Sequence, residues 1–122
     1  MLSTGVDLIE VSRVQAVLEK YGERFLSRVF TEAELAYCRG RLPQLAARFA
    51  AKEAVSKMLG TGIQHPQGVN WRDIEIVSDE LGKPFVQLSG KAAQRAAEMN
   101  LTTLSISLSH THEHAIAIIV AQ

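Results

Sequence analysis

Cysteine is nearly absent from this 122-residue chain: Cys38 is the only one, which excludes an intrachain disulfide and a Cys-rich zinc site. Aromatics are scarce, with four Phe, two Tyr and one Trp, so Leu, Ile, Val and Ala must fill most of the core. Neither sign of charge is in surplus. Thirteen Lys and Arg balance thirteen Asp and Glu, which argues against bulk-charge binding to nucleic acid or to a membrane surface. No apolar run approaches the ~20 residues that span a bilayer. The stretch from Met1 to Asp7 has no basic segment and meets an acid at once, so it does not read as a signal peptide, and a cytoplasmic protein is expected. No repeat, low-complexity stretch or linker divides residues 1–122, which are expected to form one domain.

What is present is a basic middle. Arg24, Arg28, Arg39, Arg41, Arg48, Lys52 and Lys57 face only Glu32, Glu34 and Glu53 over residues 24–57, a balance suited to an anionic ligand or partner. Hydrophobic spacing predicts a short strand at Val6–Ile9, then a helix carrying Val11, Val14, Val17, Leu18 and Tyr21 that stops at Gly22. A brief helical segment from Phe25 to Phe30 follows. Thr31-Glu32-Ala33-Glu34 is a capping box that opens a helix ending near Gly40. Pro43 suits the first turn of an Ala-rich helix running to Leu59 and closed by Gly60.

The second half changes period. Ile74 and Ile76, then Phe85, Val86 and Leu88, flank Leu81-Gly82-Lys83-Pro84 as a hairpin. Lys91 to Met99 reads as a short helix. Leu104, Ile106 and Leu108 alternate with serines as a half-buried strand, paired with Ala115–Val120 through a tight turn at Thr111–Glu113. Early helices packed on a mainly antiparallel sheet make an α+β fold.

Three features break these patterns. On an ideal wheel Lys52 falls at about 40° from Arg48, inside the apolar stripe of Leu45, Val55 and Leu59. A lysine there either snorkels to the rim or meets an anion. Glu53 and Lys57 are one turn apart, either as a solvated ion pair or as a metal-holding carboxylate beside a phosphate-holding cation. Asp7 sits within Val6-Leu8-Ile9, where an ionised carboxylate cannot be buried unpaired. An acid at a strand end with a second acid on another element suits Mg²⁺, which takes one or two carboxylates and completes its shell with phosphates and water. His110, His112 and His114 form the third feature, read as turn histidines or as a zinc site, with His110 best placed to face a ligand. Gly60-Thr61-Gly62 matches neither standard glycine-rich phosphate loop.

Two segments together resemble a known family. Gly5-Val6-Asp7-Leu8-Ile9-Glu10-Val11-Ser12-Arg13 is similar to the first signature of the phosphopantetheinyl transferases, and Arg48-Phe49-Ala50-Ala51-Lys52-Glu53-Ala54-Val55-Ser56-Lys57 to the second. Gly60-Thr61-Gly62-Ile63, Gly82-Lys83-Pro84 and Ser107-Leu108-Ser109-His110-Thr111 extend the likeness over nearly the whole chain. The length, and Ile9 where the larger two-fold type has a second acid, point to the small type, the holo-acyl-carrier-protein synthases.

The resemblance implies Mg²⁺-dependent transfer of 4′-phosphopantetheine from coenzyme A to a serine of apo acyl carrier protein, releasing adenosine 3′,5′-bisphosphate. It implies a homotrimer with its sites between subunits. Asp7 and Glu53 would hold Mg²⁺, and Lys57 would neutralise or protonate the leaving phosphate. The serine proton would pass to Glu53 or to a water on the ion. Lys52, Arg48, Lys83 and His110 would contact the nucleotide phosphates, with Gly82 and Pro84 shaping that wall. Arg13, Lys20, Arg24 and Arg28 would dock the acidic carrier protein. The rival readings are a non-catalytic carrier-protein or nucleotide-binding module and, more remotely, a zinc hydrolase on the histidines.

Overall fold

The computed structural model describes residues 1–63, 66 and 68–122. Strand β1 (Ser3–Glu10) leads directly into α1 (Val11–Tyr21), and α2 (Glu23–Val29), α3 (Glu32–Cys38) and the long α4 (Leu42–Met58) follow. A 3-10 turn at Trp71–Asp73 precedes the hairpin β2 (Ile74–Ser78) and β3 (Pro84–Leu88), and α5 (Gly90–Glu98), β4 (Leu104–His110) and β5 (His114–Ala121) complete the described elements. The expected α+β arrangement is present. The named strands all pair antiparallel, in two groups: β1, β5 and β4 form one sheet with β5 in the middle, and β2 and β3 pair by themselves, while Ile63 and Val69 make an isolated parallel bridge.

Local chemistry explains the ends. Thr31 Oγ1 accepts from the Glu34 amide at 3.3 Å while the Glu34 carboxylate accepts from the Thr31 amide at 2.9 Å, the predicted capping box. Pro43 occupies the first turn of α4, where its missing N–H costs nothing. Thr111 ties the β4–β5 turn, its hydroxyl accepting from the amides of Glu113 and His114. The first strand is longer than the four residues expected, because its whole length pairs with β5 from Ser3 opposite Ala121 to Glu10 opposite His114.

Helix α4 lies across the inner face of the three-stranded sheet. Ala46, Ala47, Ala50, Ala51 and Ala54 are all buried, so the helix is covered nearly all round rather than along one stripe. The closest approach is at Gly5, where an added Cβ would fall 1.9 Å from the carbonyl oxygen of Ala54. Glycine is required there for lack of space. Ile9, Ala115, Ala117, Ile119, Ala121 and Ile106 complete the inner face. The outer face is apolar yet uncovered: Val6, Leu8, Ile116, Ile118 and Val120 are 39–63% exposed. Among the described residues no helix is long and apolar enough to cross a membrane.

Candidate active site

The close contact at Gly5 sets β1 directly on the last turns of α4. Asp7, two residues on and on the same face of the strand, therefore reaches the side of α4 that carries Glu53 and Lys57. Lys57 Nζ stands 3.0 Å from Asp7 Oδ1 and donates a second bond to the Val6 carbonyl, also at 3.0 Å. Asp7 keeps 17% of its side-chain surface exposed and Lys57 53%, so the pair opens to solvent. Glu53 is half-buried. Its carboxyl is pushed above the usual range by that burial first and by the negative charge of Asp7 second, with Lys57 opposing both. Asp7, Glu53 and Lys57 thus form one electrostatic unit.

That unit suits a hard cation. Burial first and the Asp7 charge second raise the Glu53 carboxyl, and Lys57 only partly offsets them, so a divalent ion would relieve both. Among the described residues no group of three or more His, Cys, Asp or Glu is placed to hold a metal. Two carboxylates could hold a divalent ion only as an open site, with other oxygens completing its shell, and not as an all-protein cage. His110 ends β4, His114 opens β5 and His112 lies in the turn between them, all three exposed.

A second cleft, of about 180 Å³, is lined by Arg48, Gly82, Pro84 and His110 together with Tyr37, Gln44, Ala47, Ser78 and Leu108. Four of the residues expected to contact the nucleotide therefore share one wall. Arg48 is 4% exposed; its Nη2 donates to Ser78 Oγ at 2.8 Å and its guanidinium carbon lies 4.1 Å from the Tyr37 ring centroid. Lys83 is exposed on the neighbouring turn, where its amide donates to Asp79 Oδ1 at 2.9 Å, and it is not among the cleft-lining residues.

Lys52 requires a correction. It neither snorkels nor faces a ligand. Its Nζ is wholly buried, 2.8 Å from Glu34 Oε1, and also donates to the carbonyls of Trp71 (3.1 Å) and Ile74. Three acceptors use all three N–H bonds of the ammonium, which leaves none for a phosphate. Burial holds its pKa below the ordinary lysine value while the charge and hydrogen bond of Glu34 pull it back up.

Of the basic residues on the first helices, Arg13 and Lys20 are exposed, Lys20 lying over the Tyr21 ring at 5.3 Å. Arg24 and Arg28 edge a groove of about 360 Å³ floored by Val17, Phe25, Val29, Phe49 and Trp71, with Tyr21 beside them. Phe49 and Trp71 pack there at 5.0 Å between centroids. Sequence spacing does not reveal this groove, because Trp71 reaches it from a turn more than 40 residues along the chain from α2.

The chain and its fold are shared with known proteins. Residues 3–119 match the model of the 4′-phosphopantetheinyl transferase superfamily. A holo-[acyl-carrier-protein] synthase of Herpetosiphon aurantiacus is 49% identical, with 98% of each chain covered. The solved Helicobacter pylori holo-[acyl-carrier-protein] synthase in complex with coenzyme A superposes with a TM-score of 0.87 at 29% identity, covering 98% of this chain and 99% of that one. The Neisseria meningitidis enzyme of the same name gives 0.86 at 33% identity, covering 98% and 97%. With the signature residues Asp7, Glu53 and Lys57 gathered on one opening, the chain belongs to the 4′-phosphopantetheinyl transferase superfamily and, within it, to the holo-[acyl-carrier-protein] synthases.

Proposed function

We propose that this chain transfers 4′-phosphopantetheine from coenzyme A to a serine hydroxyl of an apo acyl carrier protein, releasing adenosine 3′,5′-bisphosphate. The observation that carries the reading is the Asp7–Lys57 contact at 3.0 Å beside Glu53. The serine oxygen forms a bond to the phosphorus that bears the pantetheine arm, the pyrophosphate bridge breaks, and the nucleotide leaves with the bridging oxygen. Asp7 and Glu53 would hold Mg²⁺, which when bound supplies Lewis-acid stabilisation of the pyrophosphate oxygens. Lys57 Nζ, held by Asp7 and the Val6 carbonyl, offers its remaining N–H to the leaving phosphate. Glu53 is the basic side chain of the cluster for the serine proton. The same residues argue against a non-catalytic binding module, which would need no such cluster.

The nucleotide lies, in this reading, against the wall of Arg48, Gly82, Pro84 and His110, with Lys83 at its rim. Arg48 and Glu53 are about 140° apart around α4, so one chain presents them to different sides. A long, charged substrate that meets both sets needs a second copy. The uncovered apolar sheet face of Val6, Leu8, Ile116, Ile118 and Val120 supports a homotrimer with its sites between subunits. Arg13, Lys20, Arg24 and Arg28 are the proposed docking surface for the acidic carrier protein. The whole chain is taken as one transferase domain working in the cytoplasm, supplying carriers to fatty-acid synthesis.

Two measurements test this. Chromatography of released nucleotide should show adenosine 3′,5′-bisphosphate only when coenzyme A, apo carrier protein and Mg²⁺ are all present; release unaffected by chelator would contradict the metal assignment. Light scattering should give three times the 13.4 kDa chain mass. Mixing Asp7→Ala with His110→Ala should recover activity, and a fully active monomer would overturn the shared site.

A further inference from the structure

Arg48 is a buried cation with unusual company. Among the described residues it has no carboxylate partner, and its Nε is buried without any hydrogen-bond acceptor. What holds its guanidinium is the Ser78 hydroxyl at the end of β2 and the Tyr37 ring on the last turn of α3. Tyr37 is itself well anchored. After Cys38 the backbone turns left-handed at Arg39 (φ 48°) and Gly40 (φ 72°), and Arg41 folds back to donate from Nε to the Cys38 carbonyl (2.8 Å) and from Nη2 to the Tyr37 carbonyl (2.6 Å). The Arg41 guanidinium also lies 5.6 Å from the Tyr37 ring centroid. Two cations thus share one electron-rich ring.

We propose that Tyr37 is a positioning residue for substrate binding: its ring fixes the Arg48 guanidinium at the cleft wall and thereby sets the grip on an anionic group of the nucleotide. The inference rests on the reading above that this cleft receives the nucleotide end of coenzyme A. With no carboxylate beside it, a buried guanidinium has its charge balanced only when an anion arrives. Without a face to stack on, the long Arg48 side chain would adopt other rotamers, and each binding event would bear the cost of ordering it. Tyr37 touches no reacting atom, so its influence falls on affinity for coenzyme A and not on the rate of the transfer step.

The test is calorimetric titration with adenosine 3′,5′-bisphosphate, paired with steady-state kinetics. Tyr37→Met and Tyr37→Leu should weaken nucleotide binding and raise KM for coenzyme A by about fivefold. The kcat and the KM for carrier protein should stay near wild type. Tyr37→Phe, which keeps the ring, should restore both affinities. Adding Tyr37→Leu to Arg48→Ala should cost nothing further, because the ring then has no guanidinium to hold. If Arg48→Ala weakens binding but neither Tyr37→Met nor Tyr37→Leu does, or if Tyr37→Phe fails to rescue, the positioning role is overturned and the nucleotide reading survives. If Arg48→Ala itself leaves nucleotide affinity unchanged, the reading of the cleft fails and the role of Tyr37 falls with it.

Discussion

Lys52 and Glu34 form an ion pair 2.8 Å long with neither side chain exposed to solvent, and it joins three elements. Glu34 also accepts from the amides of Thr31 and Ile76, both at 2.9 Å, so one carboxylate ties α3 to α4 and to β2. Lys52→Met would strand that carboxylate in the core and should cost about 3–5 kcal/mol. Glu34→Gln on top of it removes the orphaned charge and keeps an acceptor oxygen for one of the two amides. Urea denaturation should show the double variant recovering part of the loss. A double variant less stable than Lys52→Met alone would contradict the account.

Gly5 is the second structural hinge of the site. Gly5→Ala must push β1 away from the Ala54 carbonyl, and the strand carries Asp7 with it. Overpacking of this kind costs about 1–3 kcal/mol. Activity should fall further than stability does, because Asp7 loses its place beside Lys57 and Glu53. Thermal melts and initial rates on the same preparation check this, and wild-type values in both would rule out the contact.

How far the sequence reveals these features depends on their range. The capping box of Thr31 and Glu34 is local, and spacing predicts it correctly. Lys52 is visible on the helical wheel as a cation in an apolar stripe, but its partner belongs to α3 and two of its acceptors to the chain around β2. Such long-range closure is not encoded in periodicity, which is why a phosphate looks as good a partner as Glu34. Asp7, Glu53 and Lys57 stand out through motif resemblance, whereas Tyr37 and Ser78 carry no local signal and emerge only when α3 and β2 meet around Arg48. The division into two sheets is equally silent, since alternation predicts strands and not their neighbours.

Cys38 offers a pH test of the core. Burial pushes its thiol up to about 11, only partly offset by Arg48. A folded pKa above the unfolded value means that the unfolded chain loses its proton first. The stabilisation is therefore complete below the unfolded thiol's range, near 8.5, and is lost as pH rises through the folded value. Native protein should resist alkylation at pH 8 and label rapidly in urea, and Cys38→Ala should flatten the thiol's share of the alkaline decline. Fast labelling of the native protein would place the thiol outside the core.

The partner surface has its own signature. Arg24→Glu and Arg28→Glu, at the edge of the aromatic groove, should raise KM for carrier protein with little change in KM for coenzyme A. The penalty should shrink with added salt, whose screening length is about 8 Å at physiological strength. An unchanged carrier-protein KM at low salt would move docking to another face. Arg13, one turn beyond the strand that carries Asp7, should affect kcat as well.

The most direct measurement is mass spectrometry of apo acyl carrier protein incubated with the enzyme, coenzyme A and Mg²⁺. The wild-type chain should convert the carrier to a species heavier by one phosphopantetheine group, and Asp7→Ala or Glu53→Ala should slow conversion by about a hundredfold or more while remaining folded. An unmodified carrier with wild-type enzyme, or near-normal conversion by both variants, would contradict the account.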